Sequence, residues 1–280
     1  MAKIIGNTTY DVKNILGCGG GSFVFQGELG EKPVAVKVAI RTASSASFQD
    51  EIKVHTLVKE HPGFVELLDS NPVQGYMVLS RTGPDVESIL QYHTRSNTQL
   101  RRFVIRNICK EVIHIIQYLH SQGLIHGDIK PANVAMGFNS LQLKVIDLGS
   151  VLRYTTPDGK HREPTKLAMV YGTDRFCSPW CHEQWLPSRR DDLYSIAYTA
   201  IYLRDGSLPW QGLQDSATTR DRLNAKRAYL NTCDPATKAM LSYVESLAFD
   251  TTPDYEQFAK LVRRAVSVPP EEDPTGSWWI

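Results

Sequence analysis

Cysteine is scarce in this chain of 280 residues: Cys18, Cys109, Cys177, Cys181 and Cys233 are odd in number and form no Cys-x-x-Cys pair. That excludes a disulfide framework and gives no zinc-ligand spacing, so free thiols in a reducing compartment are expected. No apolar run approaches the roughly 18 residues of a membrane span, and the N-terminus lacks the apolar core of a signal peptide. Neither sign of charge dominates either, with 31 Lys and Arg against 30 Asp and Glu. A net charge of +1 provides no field to gather nucleic acid or an anionic membrane. The expectation is a soluble intracellular monomer without nucleic-acid or membrane partners. What is present is ordinary for a globular protein: 42% hydrophobic and 22% charged residues, enough for one large or two small cores. There is no internal repeat and no low-complexity tract.

From Tyr10 to Val38 short apolar and polar stretches alternate around two glycine clusters, Gly17–Gly21 and Gly27–Gly30, which predicts antiparallel strands joined by turns. Phe48, Ile52, His55 and Val58 then share one face of a predicted helix that His61-Pro62-Gly63 stops. Strand patterns return at Phe64–Leu68 and Gly75–Ser80, and Gly83-Pro84 reads as a hinge, since helical periodicity follows it. The clearest helix runs from Gln99 to Gln122, with Phe103, Ile108, Val112, Ile115 and Leu119 on its core face and Gly123 after it. Further helices are predicted at 191–203, 215–228, 235–247 and 254–265, and Pro269–Ile280 reads as a docking tail. A small β-rich half followed by a larger helical half is an α+β arrangement, with expected divisions at 8–82, 83–267 and 268–280.

Chemistry-bearing residues fall into this frame in four places. Gly17-Cys18-Gly19-Gly20-Gly21-Ser22 lies between two predicted strands, where small residues let backbone N–H groups approach phosphate oxygens. A plain hairpin would carry the same glycines. Lys37, inside the apolar Val34-Ala35-Val36-Lys37-Val38, needs a partner, and Glu51 on the next helix is the suitable one. His126-Gly127-Asp128-Ile129-Lys130-Pro131-Ala132-Asn133 forms a loop after the long helix. There Asp128 is placed to orient an attacking hydroxyl, Lys130 to neutralise phosphoryl charge, and Asn133 to offer magnesium a neutral oxygen. Asp147, at the end of an apolar strand pattern, suits the main magnesium ligand.

Together these residues resemble the eukaryotic protein kinase set, in the right order over about 250 residues. Ser188-Arg189-Arg190-Asp191-Asp192-Leu193, Gly206-Ser207-Leu208-Pro209-Trp210 and Pro253-Asp254-Tyr255 are similar to the casein kinase 1 group, while His126-Gly127-Asp128 resembles vaccinia-related kinases. The resemblance implies a bilobal fold, ATP and Mg2+ as cofactors, and transfer of the γ-phosphate to Ser or Thr. It adds Val24, Ala35, Leu79 and Arg81 to the nucleotide-binding residues, and implies that Asp192 caps the catalytic-loop backbone. Three departures stand out: Ser22 replaces the third glycine, Leu148 replaces the phenylalanine after Asp147, and Ser178-Pro179-Trp180 replaces Ala-Pro-Glu. Gly127, where many kinases carry arginine, removes the usual partner of an activation-loop phosphate, so activity without that phosphate is expected.

Between Val151 and Arg190 seven basic residues face four acids, which reads as a mildly basic platform for acidic or phosphorylated protein substrates. Arg175 matches the family's anion-binding arginine. Two rivals share parts of this pattern. Small-molecule kinases of the aminoglycoside or choline type also read His-Gly-Asp with Asn five positions on, but Lys130 and Gly172-Thr173 favour a protein acceptor. A pseudokinase scaffold would lack one of Lys37, Glu51, Asp128, Lys130, Asn133 and Asp147, and all six are present.

Overall fold

The computed structural model describes residues 2–19, 21–40, 46–93, 98–213 and 218–267. Gly20 and the expected tail 268–280 lie outside them. In chain order the strands β1 (Ala2–Ile5), β2 (Thr8–Gly19), β3 (Ser22–Leu29) and β4 (Lys32–Ala39) precede helix α1 (Ala46–Val58). After it come β5 (Leu67–Asn71), β6 (Tyr76–Ser80), β7 (Thr82–Asp85), α2 (Val86–His93) and α3 (Thr98–Ser121). Short strands β8 (Leu124–Ile125), β9 (Val134–Gly137), β10 (Leu143–Val145) and β11 (Leu152–Arg153) follow. The remainder is helical: α4 (Pro179–His182), α5 (Arg189–Asp205), α6 (Thr219–Thr232), α7 (Pro235–Glu245) and α8 (Tyr255–Ala265). The α+β class expected from the sequence is the observed one. Among the described residues no helix is long and apolar enough to cross a membrane.

The chain divides into two compact units, Met1–Pro84 with Ala135–Val151, and Asp85–Val134 with Leu152–Ile280. The first unit thus includes a returning segment, 135–151, that the sequence reading assigned with the helical half. Its main sheet has the order β1-β2-β3-β4-β6-β5 with antiparallel pairing throughout. Strand alternation places Val34 and Val36 in a core with Tyr10, Tyr76 and Val78, and leaves Ala35 and Lys37 on the other face. A smaller sheet of order β10-β9-β7 is built where Gly83 approaches Gly137, whose carbonyl would lie 3.3 Å from a Cβ at that position. The expected hinge residues are therefore strand residues.

In the second unit, α3 buries Ile105, Ile108, Val112, Ile115, Ile116 and Leu119. Phe103, expected on that face, is 41% exposed and sits beneath the Arg106 guanidinium instead, 5.7 Å from it. Helix α5, predicted over 191–203, is buried from Arg189 to Leu203, so it has no solvent face. Its start is fixed by Asp191, which accepts from Ser188 N at 2.7 Å and from the Ser178 hydroxyl, and its end by Gly206 in a left-handed conformation. Pro235 opens α7 behind Asp234, whose carboxylate accepts from Ala236 N and Thr237 N.

Candidate functional site

Within the first unit, β4 carries Lys37 opposite Val24 on β3 and Met77 on β6, which buries the lysine to 8% exposure. Its Nζ lies 2.6 Å from Glu51 Oε1 on α1 and 3.1 Å from Asp147 Oδ1. Burial opposes the ammonium, but the attraction of the two carboxylates outweighs it and holds Lys37 above its ordinary range. Burial also pushes the Glu51 carboxyl up, and the contact with Lys37 opposes that rise. Gly149 makes the grouping possible, because a Cβ there would stand 3.3 Å from Glu51 Oε2 and 3.4 Å from Asp147 Oδ1. Asp147 has φ 59°, a left-handed conformation that costs a non-glycine residue about 1–2 kcal/mol. Its side chain remains 47% exposed, so a carboxylate held by Lys37 still presents an oxygen outward.

The glycine-rich hairpin belongs to the same unit. Gly17, Cys18 and Gly19 on β2 face Val24, Phe23 and Ser22 on β3, and Ser22 Oγ donates to Gly19 O at 3.1 Å. A Cβ at Gly17, Gly19 or Gly21 would meet no atom within 4 Å. Of the three, only Gly21 has a positive φ, so neither internal packing nor backbone strain requires glycine at 17 and 19. The space beside them leaves the backbone open to approach from outside, as a phosphate group would require. Ala35 pairs with Leu79 across β4 and β6, and Arg81 Nε donates to Thr82 O at 3.3 Å.

In the second unit the loop after β8 is held by a buried carboxylate. Asp192, at the start of α5, accepts His126 N at Oδ2 and Gly127 N at Oδ1, both at 2.8 Å. His120 Nε2 lies 2.8 Å from the same carboxylate, and its Nδ1 lies 2.7 Å from the Tyr255 hydroxyl. Burial pushes the Asp192 carboxyl up, yet His120, His126 and the Gly127 N–H together bring it below its ordinary range. Gly127 has φ 77°, which gives glycine a conformational reason at this position.

Asp128 is then gripped from three sides. Thr173 N donates to Oδ1 at 2.8 Å and Lys130 Nζ to Oδ2 at 2.7 Å, while Asn133 Nδ2 donates to the Asp128 carbonyl at 2.8 Å and reaches Oδ2 at 3.3 Å. Lys130 also donates to Thr173 Oγ1 at 2.8 Å. Because the Asn133 nitrogen is spent on Asp128, its carbonyl oxygen is the group it can offer a cation. These donor sets, a carboxylate at Asp147 and a neutral oxygen at Asn133, fit magnesium chemistry.

The basic platform changes character in the structure. Arg189 and Arg190 are buried, directed at the backbone carbonyls of Asp250 and Leu247, and Arg190 stacks 3.7 Å from the Trp180 ring. Two of the seven counted charges are therefore internal. Arg175 donates to Glu87 Oε1 at 3.1 Å and lies over the rings of Phe176 and Tyr202, at 4.8 and 5.0 Å. Sequence reading missed Glu87, which lies 88 positions away, as well as the partners of His120.

Comparisons with known proteins bear on this site. Residues 10–275 match the family model described as protein kinase domain. Casein kinase I homolog 2 of Saccharomyces cerevisiae is 26% identical over 273 residues, covering 90% of this chain and 49% of its own length. In Schizosaccharomyces pombe, casein kinase I homolog 1 is 28% identical over 293 residues, 96% of this chain and 64% of its own length. Casein kinase I homolog 3 there is 28% identical over 269 residues, 90% of this chain and 61% of its own. The chain thus spans from about half to less than two thirds of the curated relatives it matches.

His55, one turn beyond Glu51 on α1, yields a prediction. It is 1% exposed, and burial, aided by the Lys37 charge and opposed by the Val65 backbone and Asp147, lowers its pKa from 6.5 to about 4. A depressed folded value means stability is complete above the unfolded pKa and is lost as pH falls from about 6.5 to about 4. Urea denaturation should therefore show His55→Leu gaining about 2 kcal/mol on the parent between pH 7.5 and pH 5. Parallel pH profiles for the two proteins would contradict the assignment.

Proposed function

Since the chain belongs to the protein kinase family, we propose that it is a Ser/Thr protein kinase that transfers the γ-phosphate of ATP to protein hydroxyls. The observation that carries this reading is the three-sided hold on Asp128 by Thr173, Lys130 and Asn133. A small-molecule kinase has no need of a loop residue such as Thr173 clamped to both the base and its lysine. The six polar residues, of which a scaffold would lack one, are all engaged with one another within their own units.

The roles divide between the units. On the first, backbone N–H groups of Gly17–Ser22 cover the phosphates, Val24, Ala35, Leu79 and Arg81 border the base, and Lys37, set by Glu51, meets phosphate oxygens. Asp147 on the first unit and Asn133 on the second each carry an oxygen that would suit magnesium, which would supply charge for binding phosphate oxygens. On the second unit Asp128 accepts the hydrogen bond of the Ser or Thr hydroxyl as its oxygen attacks phosphorus. The bond from phosphorus to the bridging oxygen breaks, ADP leaves, and the hydroxyl proton passes to Asp128. Lys130 neutralises charge growing on the transferred group.

Acidic or phosphorylated substrates are the proposed preference, supported by the names of the casein kinase I relatives and by Arg175. The Glu87 carboxylate already bound to Arg175 gives that site an internal acid, which an incoming phosphate would displace. No activation-loop phosphate is required, because Gly127 offers none a partner.

Asp128→Asn should lower phosphate transfer to casein by about 10²–10⁴-fold, and undiminished incorporation would remove Asp128 from its role. On a peptide array with and without priming phosphates, primed or acidic peptides should be preferred, and Arg175→Ala should erase that preference. An array response blind to acidity, or turnover of small alcohols alone, would overturn the reading.

A further inference from the structure

Lys226 on α6 is 2% exposed, and no motif singles it out. A buried lysine needs acceptors, and this one has three: Asp174 O at 2.8 Å, Cys177 O at 2.6 Å and His182 Nε2 at 2.8 Å. The rings of Tyr198 and Trp210 lie 5.2 and 5.4 Å from the ammonium. Asp174, Cys177 and His182 also bring a carboxylate, a thiol and an imidazole within 4.8 Å of one another, a spacing a metal could use. The imidazole Nε2 is already taken by Lys226, however, while Nδ1 lies 3.3 Å from Asp174 Oδ1 without a hydrogen bond. Arg222 completes the charge balance 3.0 Å from the other Asp174 oxygen. The cation of this cluster is the protein's own.

Backbone accounting shows what that cation does. Five consecutive carbonyls, from Thr173 to Cys177, are all taken. Thr173 O accepts from Phe176 N and Cys177 N, Arg175 O from Trp210 Nε1, and Phe176 O from Ser195 Oγ. Lys226 takes the remaining two, sharing Asp174 O with the Cys177 thiol at 3.6 Å. This loop begins with Thr173, the residue that grips Asp128 and Lys130.

We propose that Lys226 is a positioning residue for the phosphoacceptor side of the site. Its ammonium fixes the 173–177 loop, and through Thr173 the Asp128–Lys130 pair, doing from within α6 what a loop phosphate does through an arginine in other kinases. The inference rests on the kinase reading above. It also explains how a loop without Ala-Pro-Glu keeps its shape.

The test is steady-state kinetics of Lys226→Met and Lys226→Gln with an acidic acceptor peptide and with ATP as the varied substrates. The peptide KM should rise about tenfold or more in the Met variant, with the Gln variant, which keeps two N–H donors, in between. The KM for ATP should stay within about twofold, because nucleotide-binding residues other than Asn133 lie on the first unit. If both KM values stay at parental levels, whatever happens to kcat, Lys226 is only a folding residue and the proposal fails. Should the Met variant not fold, the Gln variant carries the same comparison. A parent protein that transfers nothing to peptide would instead overturn the kinase reading itself.

Discussion

Backbone groups in an irregular buried loop must find partners that no helix or sheet supplies, and this constraint governs the second unit. Two loops there answer it with buried charges of opposite sign. Asp192 takes the N–H groups of His126 and Gly127, and Lys226 takes the carbonyls of Asp174 and Cys177. Each charge is costly to bury alone and is stabilised by the loop it fixes. The two loops are joined where Thr173 meets Asp128 and Lys130. Catalytic geometry in this unit therefore depends on residues that touch no substrate.

The first unit solves a different problem with similar means. Lys37 is placed by strand register, Glu51 by the helix, and Asp147 by a left-handed turn that Gly149 leaves room for. Charge neutralises charge, so the lysine remains an ammonium although it is nearly buried. His55 beside this group is kept neutral by the same burial.

Much of this was legible in the sequence. Local patterns announced β2, β3, β4 and β6, α1, α3, the glycine hairpin, the Lys37–Glu51 pair and the His126–Asn133 loop, because each depends on neighbours within a few residues or on a motif with its own chemistry. Long-range partners were not legible. Glu87 with Arg175, Tyr255 with His120, and Lys226 with Cys177 are separated by 88, 135 and 49 positions. Composition also misled where charge is buried: Arg189 and Arg190 counted towards a basic surface and instead hold α5 to the carbonyls of Leu247 and Asp250. Phe103 fitted a helical face by spacing, yet it lies on the exposed side near the beginning of α3.

The central claim is that internal charges, and no phosphate, set the acceptor loop. The most direct measurement is transfer to an acidic peptide by protein shown by mass spectrometry to carry no phosphate, before and after treatment with a protein phosphatase. The account predicts full activity from the first turnover, without a lag and unchanged by the phosphatase. Activity that appears only after the 151–178 segment becomes phosphorylated would contradict it.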